Sequence, residues 1–136
     1  MFKGGRTAWK AARGAGILRE ILNVMTAVLQ MTKHNRAEFV LGMAEAIPHL
    51  IKQTQGIHAI PDHEIKSTGK NLYKRARQLR EINIAKSASL LLMSLYMEAL
   101  TTPGDDASLA VTMCETIFED LIEEASSILE HLQQSS

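Results

Sequence analysis

Between Lys66 and Lys86 seven cations stand against a single acid, Glu81, with Tyr73 among them. Lys70, Lys74, Arg77 and Arg80 recur three or four residues apart, so on a helix they form one positive row that suits phosphates or an anionic surface without specifying sequence. The alternative is a solvated face neutralised by the protein's own acids. Such acids exist downstream, at Glu115, Glu119, Asp120, Glu123, Glu124 and Glu130. Clustered carboxylates can also hold metals, but a di-iron bundle needs Glu-x-x-His on two helices, and no Glu here is followed three residues later by His. The acids avoid the apolar stripe of their helix, so no buried metal site and no cofactor is expected.

The remaining reactive side chains are scattered. His58, Asp62, His63 and Glu64 form one local group, but two histidines five apart do not share a helix face. The two carboxylates have a sufficient role at a helix N-terminus. Cys114 falls on an apolar stripe with Ala110, Ile117 and Leu121, where burial keeps a thiol unreactive. Gly4, Gly5, Gly14 and Gly16 have neither a preceding strand nor the spacing of a phosphate loop. No catalytic residue is assigned.

The segment His49, Leu50, Ile51, Lys52 resembles the His-x-x-Lys segment on the exposed helix of phosphorelay transfer domains, which are four-helix bundles of similar size. The resemblance implies a phosphoryl-accepting His49 with Lys52 helping to hold the group. It departs from that pattern at Gln53, where a glycine normally stands, and at Pro48. A histidine beside a helix kink accounts for the same residues.

Charge is segregated along the chain. All fifteen Lys and Arg lie at or before Lys86, together with six acids, so residues 1–86 carry +9 and residues 87–136 carry −9. The first nineteen residues hold Lys3, Arg6, Lys10, Arg13 and Arg19 and no acid. Such a block pattern points to a charged partner or to internal pairing of helices.

These residues must be positioned by helices. The 136 residues are 46% hydrophobic and poor in aromatics, with the apolar weight on Leu, Ile, Ala and Met. That predicts a single all-α domain, an up-and-down bundle of four main helices plus a short helix over 17–136, with a basic N-terminal arm over 1–16. Helix one is expected from Ile17 to about Lys33. Helix two follows an Asn35/Glu38 capping box and runs to about Gln55, kinked at Pro48. A short helix opens at Asp62 and breaks at Ser67, Thr68 and Gly69, because an unbroken helix to Leu100 would span about 58 Å. The last helix follows a turn at Thr101–Gly104 and runs from about Asp106 to Leu132.

Past Leu90 the third helix is apolar on every side, which demands cover from the bundle or from a second copy. We therefore expect a non-enzymatic interaction module that docks a protein partner, or itself as a homodimer, through Leu91, Leu92, Leu95 and Tyr96. The second expectation is nucleic-acid or anionic-surface binding through Lys3, Arg6, Lys10, Arg13, Lys70, Lys74, Arg77 and Arg80. Histidine phosphotransfer through His49 is the third. A hairpin at Thr102 and Pro103 would lay residues 66–86 along residues 115–130, +6 against −6, leaving the arm as the uncompensated positive charge. One cysteine and no apolar run of membrane-spanning length suit a cytoplasmic protein without a transmembrane segment.

Overall fold

The computed structural model of the chain describes the backbone of residues 2–135 and the side chains of residues 13–134. Five helices follow one another, α1 (Phe2–Leu29), α2 (Lys33–Thr54), α3 (Asp62–Leu79), α4 (Ile84–Leu100) and α5 (Asp105–Ser135). They pack into an all-helical bundle, as the composition predicts. The helix expected from Ile17 is continuous from Phe2, so the stretch set aside as an arm is part of α1. The side chains of Lys3, Arg6 and Lys10 lie outside the described residues.

α4 is the axis of the bundle, and α1, α2, α3 and α5 all pack on it. Its surroundings follow from its sequence. Leu90, Leu92, Leu95, Tyr96, Met97 and Ala99 point in several directions around the helix, and all are buried. α1 offers Ile17, Ile21, Val24 and Val28 at spacings of three and four, the stripe of a helix covered on one side only. α2 contributes Phe39, Val40, Met43, Ile47 and Leu50, and it continues through Pro48 without interruption. α5 closes the core with Ala107, Ala110, Cys114, Phe118, Leu121 and Ala125. The rings of Tyr96 and Phe118 meet edge to face, with centroids 5.1 Å apart.

Two helix starts differ from the sequence expectation. α2 is capped by Thr32, whose hydroxyl accepts from the Asn35 backbone N–H at 3.2 Å, three residues before the predicted cap. Glu38 faces His34 one turn away at 3.1 Å. The long third helix does break, but at Arg80–Asn83 rather than at Ser67–Gly69. There the Asn83 side chain accepts from the Lys86 N–H at 3.0 Å and begins α4.

Gly69, read in sequence as a breaker, is a packing residue inside α3. A Cβ at that position would lie 3.2 Å from the Met97 Cβ, so its absence brings α3 close against α4. Further along the same seam the Ser87 hydroxyl donates to the Ala76 carbonyl at 2.6 Å. The buried stripe of α3 is narrow, Ile65, Gly69 and Ala76, with Leu72 and Leu79 partly covered beside them. The rest of the helix faces solvent.

Candidate functional site

The displaced break decides where the charge goes. α3 folds back on α4, not on α5, and makes no substantial contact with α5. The expected cancellation of residues 66–86 by residues 115–130 therefore does not occur within the chain. Lys66, Lys70, Lys74, Arg75, Arg77 and Arg80 are all exposed, and none joins an ion pair among the described residues. Arg77 instead lies over the Tyr73 ring, 5.9 Å from its centroid. Arg13, expected as part of an uncompensated arm, pairs with Glu98 at 3.5 Å. On α5, Arg36 binds Glu124 at 3.1 Å and bridges α2 to α5, and Glu115 accepts from the Gln55 amide at 3.5 Å, while Glu119, Glu123 and Glu130 are exposed and join no ion pair among the described residues. The two charge blocks thus face different directions.

α1 and α3 both lean on α4 and hardly touch each other, which leaves a groove between them. It consists of two adjoining concavities of about 590 Å³ each, sharing Glu20 and Tyr73. One end is polar: Lys66, Lys70 and Lys74 stand on the α3 wall, Arg13 on the α1 wall, and Ser94, Glu98 and Thr101 on the floor. The other end is mainly apolar, with Val24 and Ala27 from α1, Met31 from the turn after it, Ala76 from α3 and Ala88 and Leu91 from α4. Arg77 and Arg80 form its rim. Partial burial, then the nearby Glu98 carboxylate, raises the Glu20 carboxyl above its usual range. Six cations against two acids leave the groove walls at net +4.

The four residues expected to form a partner surface are not on one. Leu92 and Tyr96 are 0% exposed and Leu95 is 1% exposed, all within the chain's own core, and Leu91 is half-buried on the groove floor. The four surrounding helices supply the cover that the all-round apolarity of α4 demands. The Tyr96 hydroxyl is satisfied by the Gln55 side-chain amide, which donates at 3.0 Å.

His49 and Lys52 are exposed on the outer side of α2. Nowhere among the described residues do three or more His, Cys, Asp or Glu side chains converge as metal ligands. No described helix is long and apolar enough to cross a membrane.

Cys114 is buried, and loss of water together with the adjacent Glu115 carboxylate pushes its thiol up to about 12. It will resist alkylation in the native chain and react once urea unfolds it. Mass spectrometry of iodoacetamide-treated protein reads this, and full labelling without denaturant would contradict the burial. Because the native thiol holds its proton longer than the unfolded one, stability will fall as pH rises from about 9 towards about 12.

The groove was missed in sequence because it belongs to α1 and α3 jointly, and only the fold brings them to one side of α4. The basic row of α3 was the one signal for it. No protein-family model, no curated protein and no solved structure matches the chain.

Proposed function

We propose that the chain is a non-enzymatic binding module that recognises an acidic protein surface through the cationic wall of α3 and the groove beside it. The observation that carries this is the row of exposed α3 cations that join no ion pair among the described residues. Unpaired like charges on one helix repel one another modestly, and an anionic partner relieves that repulsion while steering association. A protein fits better than a nucleic acid. The deep end of the groove is apolar, which suits protein side chains rather than a sugar-phosphate backbone, and Tyr73, the one aromatic on the wall, already carries Arg77.

Retention on heparin at about 50 mM salt tests the charge component directly. The wild-type chain will bind and elute at raised salt. A variant with Lys70, Lys74, Arg77 and Arg80 all changed to Gln will elute at clearly lower salt, having lost four of its anion contacts. Absence of wild-type retention would remove the proposal. An unchanged elution position for the variant would take the site away from α3.

A further inference from the structure

The groove and the outer face of α5 are complementary, and we propose that α5 of a second copy seats in the groove, so that copies associate head to tail. This rests on the reading of α3 as a wall for acidic protein surfaces, and it names the partner. Three observations single out a second copy. First, α5 carries the matching charge: Glu119, Glu123 and Glu130 are exposed and take part in no ion pair, as are the α3 cations.

Second, α5 carries matching apolar groups beside those acids. Ile122 is 41% exposed and Leu129 is 50% exposed, and seven residues of separation put them on one line along the helix. The apolar end of the groove, at Ala27, Met31 and Leu91, is where such side chains would be withdrawn from water, beneath the rim formed by Arg77 and Arg80. From Lys66 to Arg80 the cationic wall extends about 21 Å, four turns of helix, long enough to lie along the free acids from Glu119 to Glu130, which span about 17 Å. Third, the chain has zero net charge, so copies meet without long-range repulsion while their opposite faces attract.

The placement of the two surfaces bears on the type of assembly. α3 and α5 both pack on α4 without packing on each other, so the groove and its ligand lie on different parts of one molecule. Such an interface joins unlike surfaces. In the head-to-tail arrangement, unlike a two-fold dimer in which each α5 fills the other's groove, one groove and one α5 face stay free and assembly continues with concentration rather than stopping at two.

Three neutralised variants, each checked by circular dichroism for native helicity, test this by sedimentation. One changes Lys70, Lys74, Arg77 and Arg80 to Gln, the second changes Glu119, Glu123 and Glu130 to Gln, and the third changes Ile122 and Leu129 to Ser without altering charge. The wild-type mass will grow with concentration at low salt and fall to the monomer as salt rises. Each charge variant alone will stay monomeric, while their equimolar mixture will form a one-to-one dimer that grows no further. The Ile122→Ser, Leu129→Ser chain will associate about tenfold more weakly than wild type.

A wild-type chain that stays monomeric at high micromolar concentration overturns self-association. Heparin retention then tells whether the cationic wall survives as a site for another acidic protein or falls with it. A wild-type dimer of fixed size, or a mixture that does not pair, overturns head-to-tail seating. Association indifferent to Ile122 and Leu129 would take the apolar end of the groove out of the interface.

Discussion

Changing Leu92 to Glu will leave a chain that does not fold at neutral pH, seen as loss of helical circular dichroism and an expanded elution volume. Leu92 is 0% exposed and sits on the central helix with neighbours on every side. A carboxylate there has neither water nor a described cation within the core to receive it. Burying an unpaired charge costs several kcal/mol even after relaxation, a large part of the ~5–15 kcal/mol that holds a domain folded. The same substitution at an exposed subunit interface would give a folded monomer. A helical Leu92→Glu monomer would therefore show that α4 faces a partner and that the packing described for it is wrong.

Phe118→Ala will destabilise the bundle by ~3–5 kcal/mol without abolishing it, read as a lowered urea midpoint at unchanged slope. Phe118 is buried on α5 and contributes its ring to the edge-to-face pair with Tyr96 of α4. Its removal costs the transfer of a large side chain, the ring contact and the cavity left against a neighbour that cannot collapse into it. Tyr96 is held from the other end by Gln55, so it cannot swing into the space. A loss below ~1 kcal/mol would mean that the core closes around the gap and that the Tyr96 position is loosely fixed.

What the sequence made legible was set by periodicity. The one-sided stripe of α1 and the all-round apolarity of α4 predict their observed burial, because core burial and hydrophobic spacing are two expressions of one constraint, whereas α2, apolar enough in sequence to be expected at the centre, leaves Glu45, His49 and Lys52 exposed on its outer side. What failed was punctuation. Gly69 has the composition of a helix breaker but serves as a close-packing residue, and only the position of Met97 distinguishes the two. Asn83 at the head of the run from Ile84 carried the signal for the true start of α4. Thr32 likewise stood ahead of Asn35 as a competing cap, and a choice between two good caps is made by where the preceding chain must turn.

One misplaced break changed the functional picture. With residues 70–100 read as a single helix, the basic residues lie beside α5 and are cancelled. With the break at Arg80–Asn83, the same residues lie on a separate helix, away from the acids, as one wall of a groove. Arg13 shows the converse, since its partner Glu98 lies 85 residues away in sequence and no local pattern announces the pair.

The contact between α1 and α5 governs the order in which the bundle can form. α3 and α4 are neighbours in the chain, so their seam closes a short loop at small entropic cost and can assemble early. Of these five helices α1 is made before the others and α5 after them. At Gly14 a Cβ would lie 2.9 Å from that of Asp106, so the two helices meet with little tolerance for a larger residue. During synthesis, the face of α1 that meets α5 stays wet until α5 itself is available. A hairpin that forms locally and a closing contact that spans the chain make this helical bundle slower to complete than its helix content alone would suggest.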